Sequence, residues 1–138
     1  MYQHIILAAD GSDHSIRATE ETIKLVKGTQ TIVEIVYVSD FSKSKDEVLH
    51  AEGQEALEVK RRKKLLPIEE ALDAQGIEYT LKLLRGEPGP AIVEYANDSQ
   101  ADLVIVGSRG LNSLQEMMLG SVSHKIVKRV ECPVLLVK

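Results

Sequence analysis

Apolar runs alternate with amphipathic stretches along this chain. Ile5-Ile6-Leu7-Ala8-Ala9 is continuously apolar, the pattern of a strand buried on both faces. It stops at Asp10-Gly11-Ser12-Asp13, a turn cluster in which Ser12 or Asp13 can cap the next helix. From Ser15 to Lys27, Ile16, Thr19, Ile23 and Val26 fall at helical spacing, and Gly28 is the stop. The β-branched stretch Thr31 to Val38 predicts a second strand. Ser39 to Lys45 is polar and aperiodic, as expected of an exposed connection. Helical character resumes around Glu47 and continues to about Gln75, with Leu57, Leu65, Ile68 and Leu72 as its apolar stripe and a kink expected at Pro67.

Ile77 to Leu84 alternates loosely and predicts a third, more exposed strand. Gly86-Glu87-Pro88-Gly89-Pro90 is a tight loop, and Pro90 suits the first turn of a helix through Ala91, Ile92, Tyr95 and Ala96. Ala101 to Val106 predicts a fourth strand. A last helix after Gly120 carries Val122, Ile126, Val127 and Val130, and Pro133 to Val137 is a fifth strand. Regular alternation of strands and helices predicts one α/β domain over residues 1–138, a parallel sheet with helices on both faces and right-handed crossovers. Ligands of such sheets bind beyond the carboxyl ends of the strands, where the strand order reverses. Three loops should meet there: Asp10 to Asp13, the end of the second strand at Val38, and a glycine loop after the fourth strand.

That glycine loop carries the candidate chemistry. The run Val104-Ile105-Val106 ends in Gly107, Gly110 follows, and after nine more residues Gly120-Ser121 opens the last helix. Gly107 lets the chain turn sharply and Gly110 lets backbone pass close to a ligand. Gly120-Ser121 presents backbone N–H groups at a helix start, where the dipole favours negative charge, and Ser121 and Ser123 can add hydroxyl donors. The set describes a cradle for phosphate. Glycines after strands are also ordinary turn residues, Asp10 is also a turn former and cap, and Arg109 also reads as a solvated loop charge. Met117 and Met118 read as packing or a flexible lid.

Charge and composition narrow the classes. A net charge of -4 gives no reason to expect nucleic acid or an anionic membrane as partner. The N-terminus has no signal-peptide pattern, and no apolar run nears the roughly 18 residues of a spanning helix. The single cysteine, Cys132, excludes an intrachain disulfide and reads as buried and inert in a reducing compartment. A cytoplasmic protein is expected. Lys60-Arg61-Arg62-Lys63-Lys64 reads as a solvated helix face flanked by Glu55, Glu58, Glu69 and Glu70. His4, His14, His50 and His124 lack partners at metal-ligand spacing and read as structural, with His14 alone near the loops.

The chain resembles the universal stress protein family in its nucleotide-binding branch. The family signature is Gly, two residues, Gly, nine residues, Gly, then Ser or Thr, and Gly107, Gly110, Gly120 and Ser121 meet every spacing. Ala8-Ala9-Asp10-Gly11-Ser12, Val38, Gly107-Ser108-Arg109-Gly110 and Cys132-Pro133-Val134-Leu135-Leu136-Val137 agree as well. The resemblance implies an adenine-nucleotide alpha-hydrolase-like sheet in the order 3-2-1-4-5. It also implies an ATP site, open to AMP or ADP. Val38 would hold adenine through its backbone, and Ala8, Ala9 and Val106 would line the pocket. Gly107, Arg109, Gly110, Gly120, Ser121 and Val122 would surround ribose and phosphates, with Ser123 beside them. Asp10 would sit near the phosphates and help position a divalent ion, Mg or Mn. Ala9 stands where relatives often carry Thr or Val.

The expected function is an ATP-binding, nucleotide-dependent regulatory or stress-response protein. The chain lacks a P-loop Gly-Lys-Ser/Thr and an evident base, so no catalytic residue is assigned and hydrolysis is expected to be slow at most. An ATP pyrophosphatase or adenylating enzyme is one alternative, but Asp10-Gly11-Ser12-Asp13-His14-Ser15 lacks the paired glycines of those enzymes. A nucleotide-independent interaction protein is the other. In the order 3-2-1-4-5 the fifth strand is an edge, and Val134 to Val137 carries no charge to discourage pairing. A homodimer through that strand is therefore expected.

Overall fold

A computed structural model of the chain describes residues 2–39, 54–109 and 119–138, with the side chains of 54–58 excepted. Five strands, β1 (His4–Ala8), β2 (Ile32–Ser39), β3 (Tyr79–Arg85), β4 (Leu103–Gly107) and β5 (Val134–Val137), form one sheet in the order β3-β2-β1-β4-β5. Every pairing is parallel. Four helices are seen among the described residues: α1 (Asp13–Val26), α2 (Gln54–Ala74), α3 (Pro88–Ser99) and α4 (Ser121–Arg129). The α/β class and strand order are those expected from the sequence.

Alternation along the central strands divides the core in two. Ile5, Leu7, Val33, Ile35 and Ile105 face α1 and α2, where Ala18, Val26, Leu65, Ile68 and Leu72 cover them. Ile6, Ala8, Val36, Val104 and Val106 face α3 and α4, under Ile92, Ala96 and Ile126. Strands buried on both sides must be apolar at every position, which is why β1 and β4 were readable as continuous runs.

Several boundaries and one stripe differ from expectation. β3 starts at Tyr79 rather than Ile77, and α3 starts at Pro88, inside the stretch expected to be loop, with Pro90 in its first turn as expected, since proline's fixed φ suits any residue of a first helical turn. Ser39 is no loop residue: it closes β2, is buried, and its carbonyl accepts from Gly86 N at 3.0 Å. The expected connection from 40 to 45 and the helix start at Glu47 lie outside the described residues. α2 runs through Pro67, which is exposed, so its missing donor faces water.

The buried stripe of α1 is Ser15, Ala18, Thr19, Thr22 and Val26, with Ile16 only half-buried. The hydroxyls satisfy themselves within the helix. Ser15 Oγ donates to Ser12 O at 3.0 Å, Thr19 Oγ1 to Ser15 O and Thr22 Oγ1 to Ala18 O, both at 2.8 Å. Small, self-satisfied side chains bring α1 close to the sheet.

A polar knot ties α3 to the other end of the sheet. Tyr95 Oη donates to Glu34 Oε2 at 2.7 Å, while Glu34 Oε1 lies 3.1 Å from His4 Nε2. Burial, then the Glu34 carboxylate, pushes the Tyr95 phenol up to about 12. Lys82 Nζ lies 5.7 Å from the Tyr95 ring centre. No helix among the described residues is long and apolar enough to cross a membrane. Leu72 is fully buried between α2 and the sheet. Leu72→Ala should cost about 2–5 kcal/mol of unfolding free energy in a denaturant titration, from lost transfer energy and the cavity left behind.

Candidate functional site at the carboxyl edge of the sheet

The register brings the predicted loops to one edge. Ala8 pairs with Val36 and Leu7 with Ile105, so Val38 and Gly107 flank the chain where β1 gives way to Asp10. Ala8 and Val106 are buried toward α3 and α4, whereas Ala9 is buried toward α1 and α2 and donates its N–H to Val36 O at 3.0 Å. Val38 is half-buried on the α3 and α4 side.

Local bonds fix the turn after β1. Asp10 Oδ1 accepts from Ser12 N at 2.9 Å, an Asx-turn contact, and Ser12 Oγ caps α1 by accepting from Ser15 N at 3.2 Å. Gly11 stands between them at φ +84°, and a Cβ there would lie 3.1 Å from Lys64 Cβ and 3.2 Å from Lys64 O. Only glycine suits that combination of left-handed backbone and neighbouring helix. The basic run of α2 therefore ends against this turn, although Lys60, Arg62, Lys63 and Lys64 are exposed as expected.

Gly107 has a different task from the sharp turn expected of it. It completes β4 without a left-handed backbone, and a Cβ would lie 2.7 Å from His14 Cβ and 3.0 Å from His14 C. It is glycine because the first turn of α1 lies directly on it.

Beyond it, Ser108 is buried and engaged at three atoms. Its N–H donates to Val137 O at 2.7 Å, its carbonyl accepts from Gly120 N at 2.9 Å, and Oγ lies 3.3 Å from His14 Nδ1. Ser123 Oγ donates to Gly107 O at 2.5 Å, so the hydroxyl proton expected to be available for a ligand is engaged in the stem. Gly110, Met117 and Met118 lie outside the described residues, while half-buried Arg109 marks where the loop leaves the stem.

Gly120 is the N-cap of α4 at φ -63° and ψ 153°, and α4 has no side-chain cap. Ser121 is exposed and Val122 packs against the core under α3 and α4. The first turn of α4, Ser121-Val122-Ser123, keeps all its backbone N–H groups, and a helix supplies those with no carbonyl of its own. α3 also lacks a side-chain cap, but Pro88 and Pro90 remove donors from its first turn. α1 is capped by Ser12. Of α1, α3 and α4, α4 presents the best-equipped anion-accepting end.

Sequence reasoning passed over His14 and Ser108, because their importance comes from a contact across 94 positions of sequence. Burial, then Arg17 and then Arg109, lowers the His14 pKa, against the opposing influence of the Val137 backbone and the charge of Asp10. Arg17 Nε donates to Lys138 O at 2.8 Å. Cys132 is half-buried, and burial raises its thiol pKa. Among the described residues, no group of three or more His, Cys, Asp or Glu side chains is placed to hold a metal ion.

With this geometry in hand, likeness to known proteins is informative. The Universal stress protein family model matches residues 1–138. The chain belongs to the universal stress protein family. It is 34% identical over 149 aligned positions to universal stress protein MJ0531 of Methanocaldococcus jannaschii, covering 100% of this chain and 83% of that one. The solved structure of MJ0577, a universal stress protein from the same organism, matches 100% of this chain and 96% of its own with TM-score 0.85 and 28% identity. A universal stress protein solved in complex with cAMP matches 99% of this chain and 97% of its own, with TM-score 0.70 and 25% identity.

The Gly107 contact makes a direct prediction. Gly107→Ala should destabilise the fold by about 1–3 kcal/mol, because α1 must lift from β4 to admit the methyl group. Chemical denaturation monitored by circular dichroism measures it.

Proposed function

We propose that this protein binds an adenine nucleotide at the carboxyl edge of the sheet and acts as a nucleotide-dependent regulatory protein. The observation that carries the reading is the uncapped N-terminus of α4, held by Gly120 N and Ser123 Oγ against the end of β4 and sharing the strand edge with Asp10. Backbone N–H groups at a helix start suit phosphate oxygens, and the half-positive helix end favours their charge. The complete glycine signature and the family's cAMP complex support an adenine nucleotide in particular.

On this reading ATP is the principal ligand, with ADP and AMP as weaker or alternative occupants. Val38 would present backbone polar groups to adenine, with Ala8, Ala9 and Val106 beneath it. Gly107, Arg109, Gly110, Gly120, Ser121, Val122 and Ser123 would surround ribose and phosphates. Asp10 is a single carboxylate, which fits a Mg or Mn ion carried mainly by phosphates and water better than a dedicated protein cage. Nothing in the arrangement supplies the P-loop lysine, so turnover should be slow.

Titration calorimetry with ATP and Mg should show saturable binding below millimolar concentration, and its absence would remove the reading. Gly120→Asp is the sharper probe. Aspartate is a better N-cap than glycine by a few tenths of a kcal/mol, yet its carboxylate would occupy the phosphate position. The variant should melt no lower than wild type while losing at least about tenfold in ATP affinity, as expected when like charge replaces an open donor set. Loss of binding with intact folding separates site from scaffold.

We also propose a homodimer through β5. That strand ends the sheet order, and Leu136 is exposed on it. An uncharged edge strand exposes backbone donors and acceptors that a second copy can satisfy. Sedimentation at micromolar concentration should give twice the chain mass, and Leu136→Lys should shift it toward the monomer; a monomeric wild type would refute the pairing.

A further inference from the structure

We propose that His14 is the positioning residue of the phosphate-binding stem, holding Ser108, and through it Gly120, where the nucleotide needs them. The inference rests on the nucleotide reading above and assigns a role to a residue that touches the stem rather than the ligand.

The geometry is a short chain of contacts. His14 stands in the first turn of α1, with its backbone and Cβ against Gly107. Its Nδ1 faces Ser108 Oγ at 3.3 Å. The imidazole therefore reaches the residue that follows β4, and Ser108 itself ties that point to β5 by donating its N–H to Val137 O at 2.7 Å. Ser108 carries the restraint onward, since its carbonyl accepts from Gly120 N at 2.9 Å, and Gly120 is the N-cap of α4.

Removing the imidazole would leave the Ser108 hydroxyl without this partner, while the Cβ and backbone packed on Gly107 stay in place. The stem would then hold its place with fewer restraints, and the donors of α4 would have to be ordered by the ligand itself. The charges around the ring are Arg17 on α1, Arg109 beyond β4 and Asp10 beyond β1. With burial and two arginines lowering its pKa, the imidazole is neutral at physiological pH and works by hydrogen bonding.

The test is calorimetric titration of ATP with Mg into the full-length chain at neutral pH, for wild type, H14A, H14N, S108A and the H14A/S108A double variant. A melting temperature is recorded for each protein without nucleotide. H14A and S108A should each weaken ATP binding about tenfold, the effect of one lost positioning hydrogen bond. The double variant should be little weaker than either single one, because both break the same link. Asparagine places an amide near the former Nδ1, so H14N should return to within about threefold of wild type.

Wild-type-like affinity in H14A and S108A, strictly additive losses, or an H14N as weak as H14A would each overturn the proposal. Should H14A fail to fold, S108A and H14N decide the matter: a loss in the first with near-normal binding in the second supports it, and the reverse refutes it. A wild type that takes up no nucleotide would overturn the nucleotide reading and this proposal together, a result distinct from normal wild-type binding that His14 does not influence.

Discussion

Between Gly107 at the end of β4 and His14 at the start of α1 there is no room for a side chain, and this contact sets how low the helix sits on the sheet. The rest of α1 follows the same constraint. Ahead of Val26 its buried residues are Ser15, Ala18, Thr19 and Thr22, all small, with each hydroxyl engaged by a carbonyl of its own helix or cap. Bulky aliphatic residues there would bury more apolar surface but hold the helix further out. Close approach lets a two-bond turn connect β1 to α1, with Asp10 Oδ1 on Ser12 N and Ser12 Oγ on Ser15 N. Packing thus places Asp10.

The same contact organises the loop on the other side. Ser108 bonds Val137, Gly120 and His14, and Ser123 bonds the Gly107 carbonyl. Each bond contributes only about 0.5–1.5 kcal/mol net, yet together they bring four elements to one point. Donors already held by the fold need not be ordered when a ligand arrives, which lowers the cost of binding without adding a contact. An anion-accepting helix end is common; one tied at two atoms to a buried strand end is more selective about where the anion sits.

How much of this was legible in the sequence depends on the range of the interaction. Ile5 to Ala9 and Val104 to Val106 announce buried strands because every position is apolar, a local signal. The spacing Gly107, Gly110, Gly120, Ser121 likewise drew attention to the carboxyl edge, where the structure places Gly107, Gly120 and Ser121. The reasons behind individual residues were less visible. Ile16 fitted the expected helical stripe, yet Ala18 and Thr22 are the buried positions, because a hydroxyl that bonds its own helix buries almost as readily as a methyl group. Gly107 was read as a turn because its steric partner, His14, is distant in sequence. His14 stood near the loops in sequence but carried no metal-ligand spacing and was read as structural.

A net charge of -4 does not conflict with the proposed anion site. The bulk charge sets long-range attraction, which is screened over about 8–10 Å at ordinary ionic strength. Under the proposed nucleotide reading, binding at the edge would depend instead on near groups: the backbone N–H donors of α4, the helix dipole, and Arg109 at the margin of the stem. Arg17, the other cation next to His14, is bonded to the Lys138 carbonyl, so it braces the β5 end of the same assembly. A charged imidazole between these two arginines would add repulsion inside the stem. With the His14 pKa lowered, the ring joins α1 to Ser108 without adding a third positive charge. Aimed donors in place of accumulated charge select ligands by the position of their phosphates, which is the selectivity the proposed nucleotide-dependent role would require.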